Sequence, residues 1–416
     1  MAWCVGDAKL TLPSCQVVFP KRTKRLYKTD KSESRSEGVK KNPFKPTAGA
    51  PPPLLVGRAA MVDEFEESLN DGPGSPALLT RISGPRGVGK TVLLTALADK
   101  ARDREWMVLT ETATSGLTER ISTAIRKRLT PAALVRTDGG DLRELMGALL
   151  DELEVQDRGL LITVDEVNPK AQAAMRDIAT TFQHLVTEER SVALVFAGLP
   201  TPVENLLKDE VLTFLRRAVP FVLEAVRLPD VRDAFLSTIQ ASGRTVTEDA
   251  LAEMTVATSG YPFLIQLVGH QVWRQAVEDV ITLESTKTGI PAARTRLGQT
   301  VHSTALADAS GVDKTFLLAM SHDDGPSRTA DIAKRMGTTV GYVSVYRRRL
   351  LDLGLIVEGE RGLVDLALPY LREYLREHAA HVAMAAQAQI ASSSASSHGA
   401  PTPLPSPGEQ PQSSLD

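Results

Sequence analysis

Lys90 and Thr91 close the stretch Gly84-Pro85-Arg86-Gly87-Val88-Gly89-Lys90-Thr91, which fits the phosphate-binding pattern G-x-x-x-x-G-K-[ST]. Each fixed position has a physical reason. Small residues let consecutive backbone N–H groups curl into an anion-binding concavity. A lysine placed here reaches the β- and γ-phosphates of a nucleotide, and a threonine hydroxyl reaches Mg²⁺. The apolar, Ala-rich run from Val92 to Ala101 predicts a helix that starts at the loop and turns its positive end to the phosphates. Residues Gly84 to Val92 are therefore the expected phosphate cradle. The plain alternative is a glycine-rich turn without a ligand. Against it stands Pro76 to Ser83, which reads as the strand feeding the loop.

The second chemical stretch is Gly159-Leu-Leu-Ile-Thr-Val-Asp165-Glu166. A continuous apolar run with β-branched residues reads as a strand buried on both faces. Two carboxylates at its exit suit the carboxyl edge of a parallel sheet, where ligands bind. Asp165 would belong to the Mg²⁺ shell, and Glu166 would orient or deprotonate the attacking water. The alternative is a solvated Asp-Glu turn before the next helix.

These groups need a scaffold, and the rest of the chain supplies the signals for one. Ala59 to Asn70 is amphipathic, with Val62, Phe65 and Leu69 as its apolar stripe. Trp106–Glu111, Ser191–Gly198 and Pro220–Leu223 read as further strands. Gly116–Leu129, Asp141–Leu153, Asn168–Thr187 and a segment from Val211 to Arg217 read as helices. This alternation predicts an α/β P-loop NTPase fold, a three-layer parallel sheet. After Leu228-Pro229 strand signals stop. Asp230–Ala241, Glu248–Ala257, Phe263–Ala276 and part of Thr288–Ala307 read as helices, an all-helical lid.

The third region starts near Gly311. Lys314–Ser321, Ser327–Met336 and Val340–Leu353 read as helices, with Gly337 and Gly354 as stops. Leu355–Glu358, a Gly359-Glu360-Arg361-Gly362 turn and Leu363–Leu366 then read as a hairpin, giving the order of a winged helix-turn-helix. Pro369–Ala380 would close it. The expected organisation is a tail at 1–41, an ATPase domain at 42–228, a lid at 229–308, a winged helix domain at 309–382 and a disordered tail at 383–416.

Composition narrows the function classes. With 416 residues, two to three domains are expected. A net charge of −3 supplies no global field for nucleic acid, so any such binding must come from a local patch. Both cysteines, Cys4 and Cys15, lie in the first 41 residues, which leaves the folded part without a disulfide and suits a reducing cytoplasm. No run of 18 apolar residues is present, so no membrane partner is expected. The basic cluster Lys21, Arg22, Lys24, Arg25, Lys28 and Lys31 reads either as a nucleic-acid-binding arm or as a disordered tail.

Val56-Gly57-Arg58 before a helix, the phosphate loop, the strand ending at Asp165-Glu166 and the strand Phe196-Ala-Gly-Leu-Pro200 together resemble ATPases of the AAA+ and STAND type. The chain is most similar to prokaryotic ATPases related to origin-recognition initiators, which carry a C-terminal winged helix. The resemblance spans about residues 42 to 380. It implies that Val56, Gly57 and Arg58 line an adenine pocket, against the alternative of a packed turn. It places Tyr261 and Pro262 of Gly260-Tyr261-Pro262 at the position where the lid covers the nucleotide. Initiators usually have an arginine there, and Gly260-Tyr261-Pro262 is closer to the STAND pattern. The strand ending Ala197-Gly198 lacks the usual polar sensor residue, for which Thr201 is a substitute. Arg216 or Arg217 would be an arginine finger for a neighbouring subunit, or else a solvated pair at a helix end.

On the helix Val340–Leu353, Val343, Leu350 and Leu353 form the core stripe and leave Ser344 and Arg348 on the opposite side. An α-helix fits the major groove of duplex DNA. Tyr342, Ser344, Arg348, Arg349 and the wing residue Arg361 are the DNA-contact candidates, and a winged helix used for protein contacts is the rival. The resulting expectation is a cytoplasmic Mg²⁺-dependent ATPase that binds ATP and ADP and works as a switch coupled to double-stranded DNA. Two alternatives stay open. One is a signalling or defence STAND ATPase whose winged helix contacts protein. The other is a DNA-binding regulator that binds nucleotide without hydrolysing it. A homo-oligomer is compatible with each.

Overall fold

The apolar alternation in the strands decides the architecture. In the computed structural model, which describes residues 40–47, 49, 52, 55–210 and 212–397, five strands form one parallel sheet: β1 (Leu79–Ser83), β2 (Met107–Thr112), β3 (Leu160–Val167), β4 (Val192–Gly198) and β5 (Val219–Val222). Side chains are described for all of these residues except Arg361, Ala388 and 390–397. The strand order is β2-β3-β4-β1-β5. Leu160, Ile162 and Val164 of β3 join Val192, Leu194 and Phe196 of β4 in one core. Leu161, Ala193, Val195 and Ala197 point the other way into a second core. Both faces are therefore apolar, and both must be covered.

Helices α1 (Ala59–Asp71) and α2 (Lys90–Asp103) cover one face. Helices α3 (Leu117–Arg126), α4 (Pro131–Arg136), α5 (Leu142–Glu154), α6 (Gln172–Thr187) and α7 (Pro200–Leu207) contribute to the other side. The sequence expectation missed α4 and α7. Each is short and begins with proline at N1 or N2, where a missing N–H costs nothing. The helix expected from Val211 to Arg217 is instead a 3₁₀ turn, Thr213–Arg217. Only Leu215 in that turn is buried, too little to anchor an α-helix.

The lid contains α8 (Leu228–Ala241), α9 (Glu248–Ala257), α10 (Pro262–Gln275) and α11 (Leu283–Leu297). It is not purely helical as expected. β6 (Thr245–Val246) and β7 (Val280–Ile281) form a two-stranded parallel pair. Each is two residues long, below what periodicity can detect. The chain continues from α11 through one π-helical turn (Gly298–His302) into α12 (Ser303–Ala307). The upstream stretch also docks on the lid: Asn42 Nδ2 donates to the His270 carbonyl at 3.1 Å, and Phe44 meets Phe235 edge-on at 5.8 Å.

The C-terminal module follows the expected order. It comprises α13 (Gly311–Ser321), β8 (Ser327–Arg328), α14 (Thr329–Arg335), α15 (Val340–Asp352), β9 (Ile356–Glu358) and β10 (Leu363–Leu366), then α16 (Leu371–Glu377) and α17 (Ala379–Ser397). β8 pairs antiparallel with β10, turning the expected hairpin into a three-stranded sheet. The tail expected to be disordered from 383 is helical as far as Ser397. Val382 and Ala386 of α17 are buried, and Gln389 accepts a hydrogen bond from Lys314 at 3.0 Å. These contacts hold α17 against α13 as far as Gln389. Residues 398–416, and the cysteines and basic cluster of residues 1–39, lie outside the described residues. From Lys41 onward the chain packs as one unit. The core that covers one face of the sheet is continuous with that of the lid and of α13–α16. Among the described residues, no helix is long and apolar enough to cross a membrane.

Candidate nucleotide site

Strand β1 ends at Ser83 and delivers the loop to the carboxyl edge of the sheet. Gly84 is there because nothing larger fits: a Cβ would lie 2.5 Å from the Leu223 carbonyl oxygen. Gly87 and Gly89 have φ of +73° and +93°, the left-handed turns that curl backbone N–H groups inward. Val88 is buried beneath the loop and anchors it to the core. Helix α2 begins at Lys90, so its uncompensated N–H groups face the cradle.

Lys90 Nζ donates to the carbonyls of Gly84 at 2.8 Å and Pro85 at 2.7 Å. Burial is the main cause that lowers its pKa from 10.5 to about 8. Asp165 and Glu166 pull it back up, and the Arg86 guanidinium depresses it further. A desolvated lysine beside its own carbonyls gains more from an incoming anion than a solvated one does.

The second group of ligands arrives on β3. Val164 pairs with Phe196 and Val167 with Gly198, so Asp165 and Glu166 together face the single residue Ala197. This is a β-bulge, a device that re-aims side chains at a strand end. Glu166 carries it with φ of +58°. Thr91 Oγ1 donates to Asp165 Oδ2 at 2.5 Å, while Asp165 Oδ1 accepts from the Glu166 N–H at 2.8 Å. A hydroxyl and a carboxylate oxygen thus converge on one point, which suits Mg²⁺. That ion takes one or two protein oxygens and completes its shell with phosphate and water. No group of three or more His, Cys, Asp or Glu residues that could hold a metal occurs among the described residues, so an all-protein cage is not what is built here.

Sequence reasoning missed Asn168. Its Nδ2 donates to the Ala113 carbonyl at 2.6 Å and to the Glu166 carbonyl at 2.9 Å, clamping the bulge. The only signal in the chain is an Asn two residues past the carboxylates.

The connector from Leu223 to Val226 gathers the remaining parts. The Leu223 N–H donates to Ser83 at 2.7 Å, and the Val226 N–H donates to Gly260 at 2.8 Å. Arg58 Nη2 donates to the Glu224 carbonyl at 2.5 Å, and burial lowers its pKa. A Cβ on Gly57 would lie 3.5 Å from Val226, and Val56 packs against the same core. Val56-Gly57-Arg58, the loop and the lid therefore meet on four residues. From the lid, Tyr261 is 4% exposed and its hydroxyl donates to the Arg86 carbonyl at 2.8 Å. Burial pushes its pKa up, so the phenol stays protonated. Pro262 opens α10 directly behind it. Replacing Gly260 with alanine should cost about 2–4 kcal/mol in chemical denaturation, because φ is +70° and a Cβ would sit 2.2 Å from the Val226 oxygen.

Residues 54–196 match the family described as AAA ATPase domain. This segment is an AAA ATPase domain. The matched segment holds the loop, the bulged strand β3, β1, β2 and most of β4, while β5 lies beyond it. Residues 299–375 match a family described as Domain of unknown function (DUF8462). Among curated proteins, none matches the chain. Two solved structures share the fold over most of their length. One is described as the Aeropyrum pernix ORC2 protein in ADPNP–ADP complexes, at 16% identity and TM-score 0.56, covering 83% of this chain and 98% of that one. The other is a Walker-type ATPase of Pyrococcus abyssi, at 15% identity and TM-score 0.59, covering 77% and 96%.

Other expected residues lie apart from the loop Gly84–Thr91. Arg216 and Arg217 precede β5, at the amino edge of the sheet, opposite the loop. Arg216 Nε donates to the Leu207 carbonyl at 2.8 Å. At the end of β4, a Cβ on Gly198 would lie 3.0 Å from both the Val167 oxygen and Val203, so a larger side chain there would crowd its neighbours. Thr201 falls in the first turn of α7.

On α15, Tyr342, Ser344 and Arg348 are exposed. The Tyr342 hydroxyl donates to that of Tyr346 at 3.2 Å, and Ser344 Oγ donates to Val340 at 2.8 Å. Arg349 is exposed as well, and it is ion-paired. Its Nε lies 2.9 Å from Oδ2 of Asp313, which is 0% exposed. The Asp313 carboxylate also caps α13 through Ser310, and Arg349 balances its buried charge. The side chain of Arg361 lies outside the described residues.

Proposed function

We propose that this protein is an ATP-dependent switch whose C-terminal module, a winged helix-turn-helix, binds duplex DNA in the cytoplasm. The observation that carries the switch is the hydrogen bond from lid Tyr261 to the Arg86 carbonyl, because any ligand that reshapes the loop then acts on the lid. In this reading Gly84 to Val92 hold the phosphates, with Lys90 on the β- and γ-oxygens. Val56, Gly57 and Arg58 border the adenine, and Tyr261 and Pro262 close over it. Thr91 and Asp165 hold Mg²⁺, which supplies charge neutralisation of the phosphates when bound. Glu166 takes the proton of the attacking water. The lack of a polar side chain at Gly198 supports slow turnover, since no group on β4 is available to position the γ-phosphate. Arg216 and Arg217 serve only a neighbouring copy, because they face away from this chain's own loop. Turnover and duplex affinity measured together, with and without Mg²⁺, test the reading: a duplex affinity indifferent to ATP removes the switch.

Arg348 is exposed and Arg349 is ion-paired, so the two make separable predictions. Arg348→Ala should weaken duplex binding and reduce its salt slope by about one unit, with stability unchanged. Arg349→Ala should lower folding stability by about 1–3 kcal/mol by leaving Asp313 buried and unpaired. Anisotropy across a salt series and denaturant titration read the two effects.

One observation favours a second reading. Val340, Tyr342 and Val345 of α15 are 49%, 44% and 68% exposed, an apolar surface suited to a protein partner. A signalling role through protein contact would show no salt-dependent duplex binding at all.

A further inference from the structure

The C-terminal end of α15 is finished by a residue of the phosphate loop. The Gly354 N–H donates to Leu351 at 2.9 Å and the Leu355 N–H to Leu350 at 3.0 Å, with Gly354 at φ +64°. This Schellman arrangement satisfies two terminal carbonyls but not that of Leu353. Leu353 is the C-cap, and its carbonyl accepts a hydrogen bond from Arg86 Nε at 3.3 Å. The same guanidinium reaches Asp308 Oδ2 at 3.3 Å through Nη2, and Asp308 is the C-cap of α12. A cation at the negative end of a helix is favoured, and here it comes from the loop 267 residues away in sequence. Next to it, a Cβ on Gly354 would touch Leu199 at 3.1 Å, so α15 also abuts the end of β4.

We propose that Arg86 is a nucleotide-sensitive cap: phosphate in the loop draws its guanidinium off Leu353 and Asp308, and so releases the end of α15 and the α12–α13 junction. The proposal rests on the reading of the loop as the ATP phosphate site and names the device that couples that site to the C-terminal module. Its chemistry is a competition for one cation. Before nucleotide, Arg86 serves one carbonyl and one half-exposed carboxylate, weak partners individually. A triphosphate brings several negative charges beside it and offers charge-assisted hydrogen bonds about twice as strong as neutral ones. Arg86 stands four residues before Lys90 in the same loop, on the chain segment that would surround the anion. Linkage makes the competition reciprocal: weakening the cap must tighten ATP.

Hydrogen exchange on the full chain, read at the Gly354 and Leu355 amides, tests this alongside calorimetry of ATP–Mg²⁺. Saturating ATP should speed exchange at both amides by about threefold or more. Asp308→Ala should speed it without nucleotide and raise ATP affinity about two- to fivefold, the range of one exposed ion pair. In Arg86→Met, exchange should be fast and no longer respond to ATP at concentrations that calorimetry shows to be saturating. Unchanged exchange in the wild-type protein with ATP demonstrably bound overturns the cap and leaves the ATP site standing. So does an Asp308→Ala affinity no higher than wild type. Absence of any ATP binding in wild type overturns both.

Discussion

Lys90→Ala should lower ATP affinity by about 100-fold or more, with the circular dichroism spectrum unchanged. Hydrogen bonds to charged groups contribute about 1.5–3 kcal/mol each, and Lys90 is placed to make them to two phosphates. Its present partners are the carbonyls of Gly84 and Pro85, and it is the only lysine of the loop. The fold does not depend on it, since the loop is anchored by Val88 and Leu223. The same residue sets a pH dependence. Burial has lowered its pKa to about 8 in the free protein, and bound phosphate must raise it. The cationic form binds, so affinity is full below about pH 7 and falls as pH rises through about 8. Calorimetry from pH 6 to 9.5 checks the sign. Wild-type affinity in the alanine variant, or affinity that rises with pH, would remove Lys90 from the site.

Glu166→Gln should leave ATP bound and slow hydrolysis by about 10²–10⁴-fold, the usual contribution of a positioned general base. The amide keeps the shape of the side chain but cannot accept the water proton. The structural ground is the bulge: an extra residue in β3, a left-handed φ at Glu166 and the Asn168 clamp together hold this carboxylate at the sheet edge beside Asp165. Non-glycine residues adopt that conformation at a cost of about 1–3 kcal/mol. Single-turnover hydrolysis with saturating ATP reads the chemical step. Turnover equal to wild type would show that another group positions the water and that the strained carboxylate has a structural role only. Loss of binding together with turnover would place Glu166 among the ligands instead.

Much of the fold was legible because its signals are local. The loop pattern, the apolar run before Asp165 and the helix–turn–helix–hairpin order each lie within a few dozen residues. Burial on both faces and glycine punctuation state each one in sequence. What escaped was short or irregular: α4 and α7, the two-residue strands β6, β7 and β8, and the 3₁₀ turn at Thr213–Arg217. Elements this small owe their form to neighbours far away in the chain, and no periodicity accumulates over so few residues.

The candidate site divides along the same line. The residue types proposed for a phosphate cradle, a Mg²⁺ pair and a base are in the sequence, since that chemistry requires those side chains at that spacing. Which of them meet was decided by the tertiary structure. The connector Leu223–Val226 joins Val56-Gly57-Arg58, the loop and Gly260 through backbone hydrogen bonds and through close approaches that need glycine at 84 and 260, and a glycine does not name its partner in sequence. The packing of α13 against α15 made the exposed Arg349 the partner of buried Asp313. Arg86, an arginine at a variable position of the loop pattern, meets Asp308 at the end of α12 and Leu353 in the C-terminal module, contacts that only the tertiary packing creates. Local spacing determines what a segment can bind. Long-range packing determines which charges are already satisfied, because the energy of an ion pair or cap depends on a partner that the sequence separates by tens to hundreds of residues.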